Sequence, residues 1–221
     1  GGVTVLNGPG ALLAAHDKLL TARILSRAGL PHPVTHLVRG DRAVTELQPP
    51  VVVKPRHGSW GRDVARCDDR DTLEAQLARI AGTSWFLAHG ALVQELVTPV
   101  GHDLRIVVAA GSVVGAVRRV AAAGEWRTNV ALGAERVRAV PPAPAARVAV
   151  AAAAATGASL VGVDLLPDGS GGWTVLELNG AVEFNEIYGA DVFGKVVHAL
   201  TRAAAEHRSR AEGVPRTPAL T

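Results

Sequence analysis

The sequence predicts an α+β protein of two lobes that enclose a ligand, and three observations carry this. Lys54 ends the apolar run Val51-Val52-Val53 and is followed by a glycine-flanked loop, Gly58-Ser59-Trp60-Gly61. Two apolar hairpin patterns, 104–120 and 160–178, dominate the second half. Asp164 lies in the later hairpin, with Glu177 and Asn179 on its return strand, far downstream of Lys54.

Each element has a local reason. Asp17 is placed to cap a helix to about Ala28, with Leu20, Ile24 and Ala28 on one face and Gly29 as its stop. Pro31 and Pro33 force extended chain. Segments 34–38 and 51–54 read as strands, with 64–66 a third across the glycine loop. Asp71-Thr72-Leu73-Glu74 resembles a capping box and opens a helix ending near Gly82. A short strand is expected at 92–96, and a hairpin pairs 104–109 with 113–120 through Ala110-Gly111-Ser112. Residues 121–140 read as irregular. Pro144 starts an alanine-rich helix that Gly157 ends. Segments 160–166 and 173–178 form the second hairpin, and a last helix runs from about Asp191 to about 208. The expected organisation is a leading helical segment (1–29), a small lobe with the glycine loop (30–90), a large lobe (91–208) and a flexible tail (209–221).

Composition narrows the function classes. Hydrophobic residues make up 48% of the 221, enough for a sizeable core. No apolar run reaches the roughly 18 residues of a membrane span, and no leader pattern opens the chain. One cysteine, Cys67, excludes an internal disulfide and offers no zinc pattern, which fits a reducing cytoplasm. The net charge is +3 and the basic residues are scattered. With four Trp, three Phe and one Tyr, stacking platforms are few, so a nucleic-acid partner is not expected. A local basic cleft for an anionic ligand fits better. The chain begins Gly-Gly and contains no Met. Either an initiator was removed or the sequence is a piece of a longer protein.

Lysine usage is informative, with three lysines, Lys18, Lys54 and Lys195, against twenty arginines. Such a chain keeps Lys where a compact ammonium is needed and a planar guanidinium will not serve. Lys54 alone reads as a solvated strand end, but the adjoining glycines can bend over a ligand and offer N–H groups to phosphate. Ser59 adds a hydroxyl. Gln94-Glu95-Leu96-Val97 is either an exposed linker or an edge that pairs with an adenine and leaves a carboxylate for ribose. Asp103 and Arg105 leave one strand face, and Arg118-Arg119 ends the partner strand. These charges make either a phosphate-binding spot or an edge that resists aggregation. A carboxylate at Asp164 inside an apolar strand is costly unless paired or metal-bound. Glu177 and Asn179 alternate on the neighbouring strand, so three oxygen donors suit Mg²⁺, with salt bridges to arginine as the alternative.

Taken together, these residues resemble the ATP-grasp superfamily and, within it, the RimK/LysX group of carboxylate–amine ligases. The resemblance is collinear from about residue 10 to 205. It runs through Asp17-Lys18, Val-Val-Val-Lys-Pro at 51–55, Gly-Ser-Trp-Gly-Arg at 58–62, Val-Gln-Glu-Leu at 93–96 and Asp-Leu-Arg at 103–105. Arg118-Arg119, Thr128-Asn129, Gly162-Val163-Asp164 and Leu176-Glu177-Leu178-Asn179 complete it. The glycine loop is closer in form to LysX. The resemblance implies an ATP-grasp fold whose two lobes sandwich the nucleotide, without the N-terminal α/β domain that family members carry. It implies an ATP-dependent ligase that forms an amide through an acylphosphate, with glutamate or 2-aminoadipate and a protein, carrier-protein or peptide amine. A homo-oligomer stays open.

The resemblance also implies roles. ATP would meet Lys18, Lys54, Gly58, Ser59, Gly61, Gln94, Glu95, Leu96, Val97 and Asp103. Arg105, Arg119 and Asn129 would act at the transferring phosphate or the substrate, and Asp164, Glu177 and Asn179 would hold Mg²⁺, with Mn²⁺ as a substitute. After Asn179 the chain reads Gly-Ala-Val-Glu-Phe, which departs from both LysX and RimK. An ATP-grasp kinase and a nucleotide-binding module without turnover are the alternative readings.

Overall fold

A computed structural model of the chain describes residues 5–40 and 48–212, with side chains to 206. Pro9 opens a helix, α1 (Pro9–His16). Proline suits a first turn because its missing N–H would be unpaired there anyway. Asp17 then caps α2 (Lys18–Arg27), accepting hydrogen bonds from the N–H groups of Leu19 and Leu20.

The small sheet has the order β1-β4-β2-β3 and is antiparallel throughout. Its strands are β1 (Thr35–Val38), β2 (Val51–Pro55), β3 (Ala65–Cys67) and β4 (Ala91–Glu95). Helices α3 (Arg70–Ile80) and α4 (Ser84–His89) supply Leu73, Ile80 and Phe86 to a core with Val51, Val53 and Val93. The cap of α3 is Asp69, bonded to Thr72, and not Asp71 with Glu74 as expected. Helix α4 was not expected, since six residues are too few for a clear period.

The large sheet, β7-β6-β5-β8-β9, is also antiparallel. It comprises β5 (His102–Ala109), β6 (Ser112–Val120), β7 (Glu135–Arg138), β8 (Leu160–Pro167) and β9 (Trp173–Asn179). Strand β7 falls in the stretch read as irregular, because four residues split between Glu, Val and Arg carry no apolar run. Helices α1, α2 and α5 (Ala143–Thr156) cover one face and bury Leu104, Ile106, Val163 and Leu178. The leading helices therefore share the core of the large sheet and are not a separate segment. On the opposite face, α6 (Val192–Glu212) covers Val107 and Ala109. Beyond α6's cover, that face carries Asp103, Arg105, Arg119, Asp164, Glu177 and Asn179. Asp164 sits in the middle of β8. Of the expected tail, 209–212 continue α6, and 213–221 lie outside the described residues. Among the described residues, no helix is long and apolar enough to cross a membrane.

Candidate active site

In β2, Val51 and Val53 point into the small core, so alternation turns Val52 and Lys54 to the cleft. Lys54 is only 6% exposed, and its Nζ donates to Gln94 Oε1 at 2.7 Å. Burial pushes the ammonium down to about 8, opposed by Glu177 and reinforced by Lys18. Lys18 opens α2 directly after its cap. Its Nζ donates to the Gly58 carbonyl and lies 3.2 Å from Glu177 Oε1. Arg56 grips Asp17 with two hydrogen bonds, which holds the start of α2 against the end of β2.

The glycine loop is held from the large lobe. Arg127 Nη1 donates to the carbonyls of Gly61 at 3.0 Å and Val64 at 3.3 Å. Glu125 orients that guanidinium, and the pairing holds its carboxyl down at about 2. Gly61 has φ +71°, and a Cβ there would lie 2.7 Å from Asn129 Oδ1. Both the backbone and the space require glycine. We expect Gly61→Ala to push the loop off Asn129. Nucleotide affinity should fall at least tenfold, with a lower melting temperature from the strained backbone, measured by calorimetry on both proteins.

The charged face of the large sheet follows from register. Asp103 lies opposite Arg119 in β5–β6, Arg105 opposite Asp164 in β5–β8, and Asp164 opposite Glu177 in β8–β9. Arg119 forms a two-point pair with Asp103 and reaches Asp164 Oδ2 at 2.8 Å. Arg105 grips Asp164 with two bonds of 2.7 Å. Thr128 donates to Asp103 Oδ2 at 2.6 Å. Desolvation acts to raise Asp164, yet Arg105 and Arg119 outweigh it and hold the carboxyl at about 2. Full burial pushes Asp103 up, offset in part by Arg119. Asp164 thus has the arginine salt bridges that the sequence left as the alternative.

The expected metal donors still share one face. The register between β8 and β9 shifts after Asp164, leaving Leu176 without a partner and turning Glu177 and Asn179 to the cleft. Among the described residues, no three His, Cys, Asp or Glu side chains cluster as a metal site. Two carboxylates and an amide nevertheless fit Mg²⁺, which accepts few protein oxygens and retains waters. Asp164 Oδ1 accepts one hydrogen bond and keeps a second lone pair. Among the described residues, Asn179 Nδ2 is buried without a partner, so turning the amide over presents its oxygen there instead.

Two cavities meet at these residues. The first, about 980 Å³ including its open mouth, is lined by Lys54, the glycine loop, Gln94 to Val97, Asp164 and Glu177. Val52, Leu166 and Leu176 give it an apolar slot. The second runs past Arg105, Arg136, Asn179, Glu183 and Tyr188. Lys18, Gly58, Ser59, Trp60, Arg119, Asn129 and Glu177 line both.

Several expectations need correction. Asp103, expected at the ATP, is 0% exposed, bound to Arg119 and Thr128, and lines neither cavity; Glu95 does reach the first. The N–H groups of Glu95 and Leu96 already donate to Val34 and Pro50, so neither is free for an adenine edge. Arg118 is exposed on the other face of β6, away from Arg105 and Arg119. Arg136 was not singled out from the sequence. It lies opposite Arg119 in β6–β7, on the strand that the sequence left irregular.

Comparison with known proteins agrees with this architecture. A family model described as the RimK-like ATP-grasp domain matches residues 15–200. A probable alpha-L-glutamate ligase of Thioalkalivibrio sulfidiphilus is 35% identical, over 96% of this chain and 72% of its own length. The alpha-aminoadipate–LysW ligase LysX of Saccharolobus solfataricus is 30% identical, over 92% and 75%. Among solved structures, the ATP-grasp ligase PsnB complexed with minimal precursor superposes with a TM-score of 0.69 at 25% identity, over 91% of this chain. This chain spans 64% of PsnB's length. A D-alanine–D-alanine ligase of Bacillus anthracis complexed with ATP shares the fold, with a TM-score of 0.65 at 17% identity, over 87% of this chain and 68% of its own.

Proposed function

The chain belongs to the RimK-like ATP-grasp family, and on that premise we propose that it joins a carboxylate to an amine, driven by ATP cleavage. The observation that supports this most is the shared wall of the two cavities. A nucleotide in the first cavity would present its terminal phosphate at Lys18, Arg119, Asn129 and Glu177, and a second substrate would reach the same residues from the other side. A carboxylate oxygen attacks the γ-phosphorus and ADP leaves. The amine then attacks the acyl carbon of the acylphosphate, and inorganic phosphate leaves as the amine loses a proton.

The residues divide by position. Lys54, Lys18 and the backbone of Gly58, Ser59 and Gly61 hold phosphates. Gln94 to Val97, with Val52, Leu166 and Leu176, receive the adenine, and Glu95 is within the same cavity for the ribose. Arg105, Arg119 and Asn129 face the transferring phosphate, where fixed cations and dipoles count most. Asp164, Glu177 and Asn179 would hold Mg²⁺, which would offset the negative charge of the phosphates. Residues 30–90 and 91–208 act as the two jaws, with α1 and α2 packed on the larger.

We read the carboxylate substrate as an acidic amino acid, glutamate or 2-aminoadipate, and the acceptor amine as one on a protein, carrier protein or peptide. Arg136 supports the first part. Arg105 and Arg119 are matched by Asp164 and Asp103, whereas among the described residues Arg136 has the exposed Glu183 as its ion-pair partner, at 3.6 Å. A guanidinium so placed can take a substrate carboxylate with two bonds. The names of LysX and PsnB supply the kinds of acceptor. Incubation with ATP, Mg²⁺, glutamate or 2-aminoadipate and candidate acceptors, read by mass spectrometry, tests this. An amide adduct with ADP and phosphate is expected. A phosphoester product indicates a kinase instead, and equal turnover of neutral amino acids removes the role of Arg136.

A further inference from the structure

The amide of Gln94 lies between Lys54 and the connector that joins α2 to β1. Its Oε1 accepts from Lys54 at 2.7 Å and its Nε2 donates to Thr35 Oγ1 at 2.6 Å. The same Nε2 faces His32 Nε2 at 3.3 Å. Donor and acceptor roles here are set from the far end. The Val175 carbonyl only accepts, so His32 Nδ1, 2.8 Å away, carries the ring proton. In a neutral imidazole the other nitrogen is then a lone pair. Burial pushes His32 down to about 4, and the charge on Lys54 adds to this against the pull of the Val175 carbonyl, so the ring is neutral. The Thr35 hydroxyl donates to the Pro33 carbonyl at 2.8 Å, which leaves its oxygen to accept.

Two acceptors therefore face Gln94 from one side, and only its NH₂ satisfies both. The amide oxygen must turn to Lys54. The reversed amide would set two donors against each other in a closed site, since Gln94 is buried and Lys54 with it.

We propose that His32, together with Thr35, is a positioning residue: by fixing the orientation of the Gln94 amide it places the Lys54 ammonium for a nucleotide phosphate. The relay starts at Val175 of β9, two residues before Glu177, and Val175 N also donates to the Pro31 carbonyl at 2.9 Å. It thus ties the lysine of the small sheet to the strand that carries Glu177. The inference rests on Lys54 as a phosphate ligand, and Lys54→Ala separates the two: wild-type nucleotide affinity in that variant removes both.

The test uses the full chain. Nitrogen-15 NMR of labelled histidines at pH 7, with His32 assigned by its loss in His32→Leu, should show Nδ1 protonated and Nε2 bare. The affinity for Mg²⁺ with a non-hydrolysable ATP analogue should fall about tenfold in His32→Leu and in Thr35→Val. Thr35→Ser keeps the hydroxyl and should bind as wild type, and urea unfolding should show both Thr35 variants fully folded under the binding conditions. Protonation at Nε2 overturns the proposal. So does wild-type affinity in Thr35→Val, or equal weakness in Thr35→Ser and Thr35→Val, which would mean packing alone.

Discussion

Replacing Lys54 with alanine should weaken ATP binding by about ten- to a hundredfold, the worth of a charge-assisted phosphate contact of about 1.5–3 kcal/mol. Lys54→Arg should not restore it. The side chain lies buried against Gln94 in the wall of the first cavity and is 6% exposed, so a longer planar guanidinium cannot place its charge at the same point. Titration should show the same group. The ammonium has a folded pKa of about 8 against 10.5 in its ordinary state. Nucleotide affinity should therefore fall as pH rises through about 8. Stability should move the other way, because between about 8 and 10.5 the unfolded chain binds more protons and folding gains as pH rises. Calorimetric binding at pH 7 and 9, beside urea unfolding at the same values, checks both signs. A pH-independent affinity in the wild type would exclude Lys54 as the phosphate cation.

Removing a charge from the buried cluster should have the largest effect on stability. Asp164→Asn leaves Arg105 and Arg119 facing Asp103 alone, with Asp164 itself only 2% exposed. Breaking a buried pair by removing one partner costs about 3–5 kcal/mol. The loss of activity expected in Asp164→Asn is thus accompanied by a loss of fold stability. Glu177→Gln is the cleaner probe of the metal site, because the Glu177 side chain is 26% exposed and bonded to Lys18. It should lose turnover with an unfolding midpoint near wild type. Urea unfolding and ATP-dependent product formation in both variants measure the contrast. Acid should reproduce part of it. The carboxyl of Asp164 is held at about 2, so its contribution is present above pH 3.8 and is lost as pH falls through about 2. Asp103, which burial raises, opposes this. Equal stability of Asp164→Asn and wild type would mean that the arginines are solvated, not paired.

The parts of this site that are legible in sequence are those set within a few residues. Asp17 precedes its helix and places Lys18 one residue later. Alternation along 51–54 puts Lys54 on the face opposite Val51 and Val53, and the same alternation puts Glu177 and Asn179 together. Gly58 and Gly61 mark a loop that can bend close to a ligand. These are backbone rules of short range, and they hold without knowledge of the neighbours. Elements with weak local signals were missed for the same reason: α1 has no capping side chain, and β7 has no apolar run.

By itself, then, the sequence determined two lobes, a lysine beside a glycine loop in one, and two carboxylates with an amide in the other. Only the tertiary structure decided what those groups do to each other. Strand register brought Arg105 and Arg119 to Asp164 and buried Asp103 behind them, which turned a suspected ATP contact into a buried counter-ion. Folding brought Gln94 to Lys54 across β2–β4, His32 to Val175, and Arg127 to the glycine loop. Each of these pairs joins positions distant in the chain, and its energy depends on burial and on which strand lies beside which. Neither property is contained in the residues on either side of a motif.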